Sequence, residues 1–139
     1  VVDADMRHGR LHQVFGVDNR AGLSGILAGR TEAKTIQQVS GIPNLFVLPV
    51  GSVPPNPLEL VERPAFGLLM RELLGKFDYV VVDTPTASLG SDGAVIASRC
   101  GAALLVARKD KARVADLQDL LASLQQTSVA FAGFVYNEF

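Results

Sequence analysis

Tryptophan is absent and cysteine occurs once, at Cys100, so no disulfide can form within these 139 residues. A single thiol fits a reducing compartment, and here it reads as a small core residue after a helical stretch. Charge of one sign is also lacking. The 13 Lys and Arg residues against 14 Asp and Glu leave a net charge of −1. No basic stripe offers nucleic acid a footing. No apolar run approaches the ~20 residues a membrane helix needs, and the N-terminus does not read as a signal peptide. A link to a membrane would therefore have to run through a partner or a segment outside the sequence, with no direct insertion.

Apolar residues make up 48% of the chain, enough for one core, and residues 1–139 read as a single domain. Short β-branched runs alternate with segments of helical period, which predicts an α/β fold with a mostly parallel sheet between helical layers. The strands expected are Val1–Asp3, Leu45–Pro49, Tyr79–Asp83, Ala103–Ala107 and Ala130–Tyr136. They lack polar alternation, so both faces should be covered. Helices are expected over Leu23–Leu27, Glu32–Val39, Asp92–Arg99 with Ser91 as N-cap, and Lys111–Gln126 with a stripe of Val114, Leu117, Leu121 and Leu124. A longer helical stretch, Leu58–Lys76, starts from Asn56 as N-cap and Pro57 at its first position. Pro64 should break it in two, the second piece burying Phe66, Leu69, Leu73 and Leu74. Val1-Val2-Asp3 reads as the end of a buried strand with no turn before it, an expectation that the chain was cut upstream.

Three constellations carry chemistry. Asp3 and Asp5 stand two residues apart where an apolar strand ends, followed by Met6-Arg7. Carboxyl ends of parallel strands are where such sheets place ligands. Paired carboxylates there can hold Mg²⁺, accept a proton from an incoming hydroxyl, or simply cap the turn. The Asp-x-Asp of haloacid-dehalogenase-type phosphatases expects Gly-Thr or Gly-Val next, which is not found here. Tyr79-Val80-Val81-Val82-Asp83-Thr84-Pro85 has the Walker B pattern, an apolar strand ending in an Asp that orients Mg²⁺ beside nucleotide phosphates. Pro54-Pro55-Asn56-Pro57 reads locally as a rigid turn and helix cap.

Taken in order, these stretches resemble the kinase domain of bacterial tyrosine kinases of the exopolysaccharide type. Asp3-Ala4-Asp5-Met6-Arg7 is similar to the Walker A′ motif of that family. Arg10-Leu11-His12-Gln13-Val14-Phe15-Gly16 and Gly22 to Gly29 match its "RLHxxFG" and "GLSxxLxG" segments. Asn44 to Gly51 with Pro54 to Leu60 matches "NLxVLPxGxxPPNPxEL". The resemblance covers nearly the whole chain and implies a P-loop-class α/β fold, related to MinD- and ParA-like ATPases. It implies ATP and Mg²⁺ as cofactors, with Asp83 as Mg²⁺ organiser. Asp3 and Asp5 would position Mg²⁺ and activate the acceptor hydroxyl, and Arg7 would stand at the phosphate side. Asp92 at a helix start and Asn137 after the last strand would complete the nucleotide site. It also implies autophosphorylation on tyrosine and control of polysaccharide polymerisation and export. The implied partners are an inner-membrane chain-length regulator (a polysaccharide co-polymerase) and sister kinase domains in a homo-oligomer. The protein would then be cytoplasmic and held at the inner membrane through that regulator.

Two departures qualify this resemblance. No Gly-x-x-x-x-Gly-Lys-[Ser/Thr] occurs in the chain, and that loop is the main phosphate cradle. The family places it upstream on a central strand, whose absence would leave a sheet edge exposed. These 139 residues alone are therefore expected to be nearly inactive. These 139 residues also do not include the tyrosine-rich tail that many relatives carry, either because it has been removed or because this member lacks one, and their only tyrosines, Tyr79 and Tyr136, lie in expected strands. A MinD/ParA-like ATPase and a non-catalytic interaction module are the competing readings. His8 and His12 have helical metal-pair spacing but no companions, and read as surface residues. Arg108-Lys109-Asp110-Lys111-Ala112-Arg113 reads as a solvated loop.

Overall fold

The structure is a computed structural model and describes residues 1–30 and 34–139. In chain order its elements are β1 (Val2–Asp3), α1 (Leu11–Phe15), α2 (Leu23–Leu27), β2 (Gln37–Gln38) and β3 (Phe46–Val47). Then follow α3 (Pro57–Glu62), α4 (Pro64–Leu74), β4 (Val82–Asp83), a 3₁₀ turn (Ala87–Leu89), α5 (Asp92–Cys100), β5 (Ala102–Arg108), α6 (Val114–Gln125) and β6 (Ala130–Asn137).

The fold is α/β with parallel pairing, as the alternating pattern predicts. β1 pairs parallel with β4, Asp3 opposite Asp83. On its other side β1 bridges to Leu48, where the Asp3 amide donates to the Leu48 carbonyl at 2.9 Å. β1 is thus central, and both acidic strand ends emerge on one edge. β5 and β6 form a second parallel pair over seven register positions, with a bulge between Ala103 and Leu104.

Pro64 divides the helical stretch as expected. α3 stops at Glu62, Arg63 turns extended (ψ 146°), and Pro64 opens α4. Proline has no N–H to give the preceding turn and its ring favours an extended residue before it. α4 buries Phe66, Leu69, Met70 and Leu73. Leu74, expected on that face, is 60% exposed, because one further residue rotates it ~100° away and Met70 takes the fourth place. These side chains join Val2, Met6, Leu23, Leu48 and Ile96 in the main core. A smaller core of Ala97, Leu105 and Leu124 lies between α5, β5 and α6.

Several expectations need correction. The helix over Glu32–Val39 is not formed: Gln37–Gln38 is a strand, antiparallel to β3. Lys34 before it has φ +57°, and the Val39 amide donates to the Leu45 carbonyl across a hairpin instead of up a helix. Residues 32 and 33 of that segment lie outside the described residues. Asn56 makes no side-chain cap to α3. Its amide donates to the Glu59 carboxylate, which also takes Arg63 at 2.7 Å. Ser91 likewise makes no side-chain cap to α5. Finally, β5 and β6 are not covered on both faces: Leu104, Val106 and Val135 share one face and all three are exposed. Tyr79 lies ahead of β4 rather than within it and is 89% exposed, and Tyr136 is exposed on β6.

Cys100 closes α5, and burial pushes its thiol up to about 11. Thiolate is the reactive form. At pH 8 its alkylation by iodoacetamide should run on the order of a hundredfold slower than that of a free cysteine near ~8.5. A rate equal to the free thiol's would contradict this burial.

Candidate functional site

The site begins where β1 and β4 end side by side. Asp3 is fully buried. Its Oδ2 accepts the Leu11 amide at 2.9 Å, while its Oδ1 is buried with no hydrogen-bond partner. The chain then turns sharply: Asp5 Oδ1 accepts the amides of Arg7 (3.1 Å) and His8 (2.9 Å). The turn fixes Asp5 near Asp83, and the Ala4 amide donates to the Asp83 carbonyl at 2.9 Å. Gly9 makes the close approach possible, since a Cβ there would stand 2.8 Å from both Asp3 carboxylate oxygens and 2.4 Å from Val50 Cγ2. No sequence signal beyond the bare glycine marked that role.

The electrostatics follow from this crowding. Burial holds the Asp3 carboxyl above the usual carboxylate range, and the charge of Asp83 adds to it against the lowering effect of the Leu11 amide. Asp83 is exposed. Its partial desolvation, followed by the charge of Asp5, pushes its carboxyl up as well. Three carboxylates that repel one another, one of them with an orphaned buried oxygen, are a set that a cation would relieve. No group of three or more His, Cys, Asp or Glu side chains among the described residues is arranged to hold a metal ion directly.

Arg7 and Asp92, read from the sequence as separate site residues, face each other. Arg7 Nε donates to Asp92 Oδ2 at 3.0 Å and Nη2 to Oδ1 at 3.1 Å, a two-pronged pair with Asp92 only 3% exposed. Asn137 is not gathered with the acids on one sheet. It closes β6 in the β5–β6 pair, is exposed, and its Oδ1 accepts the Phe139 amide. His8 and His12 do not share a helix, since α1 starts only at Leu11. A cleft of about 590 Å³ lies at the opposite strand ends, between Val1, Phe46, Leu73, Phe77 and Val81, and takes none of these residues.

No family model matches the chain. It is 34% identical over 138 residues to the tyrosine-protein kinase ptk of Acinetobacter johnsonii, covering 99% of this chain and 19% of that protein. The solved kinase domain of the Escherichia coli tyrosine kinase Etk superposes with a TM-score of 0.90 at 38% identity, over 98% of this chain and 53% of that one. The cell-division ATPase MinD of Pyrococcus furiosus superposes with a TM-score of 0.80 at 27% identity, over 99% and 58%. The fold and its acidic strand ends thus define a P-loop-class α/β domain of the kind these proteins share. Within that class the chain is a homologue of the bacterial tyrosine-protein kinases. It spans about a fifth of the length of the curated relatives it matches. No helix among the described residues is long and apolar enough to cross a membrane.

Proposed function

We propose that this chain supplies the acidic pole of an ATP- and Mg²⁺-dependent protein-tyrosine autokinase. The observation that carries the reading is the meeting of Asp3, Asp5 and Asp83 at adjacent parallel strand ends, in a chain 38% identical to a tyrosine-kinase domain. Asp83 would help hold the metal ion beside the phosphates, the role of a strand-end acid in P-loop NTPases. When bound, Mg²⁺ neutralises charge on the transferring phosphate. Asp3 and Asp5 would share the work of holding the ion and drawing the proton from the acceptor tyrosine hydroxyl, and the raised carboxyl of Asp3 suits a proton acceptor. Asn137 contributes to the nucleotide base end. The protein works at the inner membrane through a polysaccharide chain-length regulator, pairs with sister kinase domains, and regulates exopolysaccharide polymerisation and export.

The chain carries no Gly-x-x-x-x-Gly-Lys-[Ser/Thr] motif to cradle phosphates, so these 139 residues alone are expected to make little phosphotyrosine. The likeness to MinD supports a second reading, an ATPase that releases free phosphate. Incubating the full-length gene product with γ-labelled ATP separates the two. Label on tyrosine is the expected result. Label released only as phosphate favours the ATPase, and neither product favours a non-catalytic module.

A further inference from the structure

Arg7 and Asp92 lie 85 residues apart in the chain, yet their pair closes a ring of contacts around the acidic site. From Asp83 the ring passes to β1 through the Ala4 amide, then through the Asp5 turn to Arg7, across the ion pair to Asp92, and into the first turn of α5. There Gly93 packs back on the residues that follow Asp83: a Cβ on Gly93 would lie 3.7 Å from Thr84 Oγ1 and 3.8 Å from the Pro85 carbonyl. Gly90, at φ +145°, lets the backbone pass over the pair, since its own Cβ would reach 3.3 Å from Asp92 Oδ1 and 4.0 Å from Arg7 Nη2.

We infer that Arg7 and Asp92 are positioning residues: their two-pronged pair clasps the Asp5 turn to α5 and so sets the spacing between Asp5 and Asp83. This rests on the proposed kinase reading only for its effect on catalysis. A buried carboxylate that takes both prongs of a guanidinium fixes orientation as well as distance. Nε and Nη2 of Arg7 are both held on Asp92, so Asp92 sets the orientation of the guanidinium. Ion pairs of this kind act on the groups they support, and loss of such outer partners costs roughly 10- to 100-fold in function.

The test is a double-mutant cycle in the full-length gene product, using Arg7→Met and Asp92→Asn. Each single change should lower kcat about tenfold with the KM for ATP little changed. The double variant should lose no more than either single one, because both remove the same clasp. A raised KM for ATP in Arg7→Met alone, with losses that multiply in the double variant, overturns the proposal and returns Arg7 to the phosphate. Amide hydrogen exchange on the full-length gene product without nucleotide gives a second readout, independent of activity. Asp92→Asn should speed exchange at the Arg7 and His8 amides, far from it in the chain, and change confined to α5 overturns the clasp. If the gene product makes no phosphotyrosine, the kinase reading fails and the exchange result alone decides the clasp.

Discussion

Asp3→Asn is expected to melt higher than the unaltered chain at pH 7 and to be inactive in the full-length gene product. Asp3 is fully buried, has one unpaired oxygen, and is held above its ordinary range chiefly by burial. A folded-state pKa that is raised gives stability fully present below the unfolded value of ~3.9, and lost as pH rises through the raised value. At neutral pH the ionised Asp3 therefore costs stability. Asparagine keeps an acceptor for the Leu11 amide and removes the charge. A gain on the order of 1 kcal/mol, roughly 3 °C in melting temperature, is expected at pH 7. At acid pH, where Asp3 is protonated in the folded and the unfolded chain alike, the difference should shrink. Calorimetry at the two pH values reads this directly. A variant less stable at pH 7 would show that the carboxylate supports the fold instead of straining it. Sites that hold charge for chemistry commonly cost stability in this way.

Gly22→Ala is expected to cost on the order of 3 kcal/mol. The φ of Gly22 is −178°, so conformation is not the obstacle. Space is: a Cβ there would stand 2.3 Å from the Pro49 carbonyl oxygen and 2.4 Å from the Gly51 nitrogen. These are backbone atoms, and they are pinned. The Leu23 and Ser24 amides donate to the carbonyls of Pro49 and Val50 at 2.8 and 2.9 Å, and the Gly51 amide donates to Asn19 Oδ1 at 2.8 Å. Relief would push α2 away from the segment that carries Leu48 alongside β1, moving Asp3 with it. Urea denaturation measures the loss. A cost below ~1 kcal/mol would mean this contact gives way easily.

What could be read ahead of the structure was local. Val1–Asp3 and Tyr79–Asp83 each end an apolar run in an acid, and that alone brought two of the three carboxylates to the right strand ends. Pro64 broke its helix for a reason carried by one residue. Glu32–Val39 was expected as a helix, but Gln37–Gln38 pairs with Phe46–Val47, and that antiparallel ladder depends on residues across the turn. The open face of β5 and β6 misled for a related reason. An apolar run shows that a strand can be covered, not what covers it. The pairing of Arg7 with Asp92 was illegible because charge partners 85 residues apart leave no local pattern.

The acidic pole stands or falls most directly on phosphotyrosine formation by the full-length gene product with ATP and Mg²⁺, measured beside Asp83→Asn. Several kcal/mol of charge stabilisation should be lost with that carboxylate, a fall of at least about a hundredfold. Phosphotyrosine in the unaltered protein with that fall in the variant is the predicted result. Equal signal from both proteins would contradict a site built around Asp83.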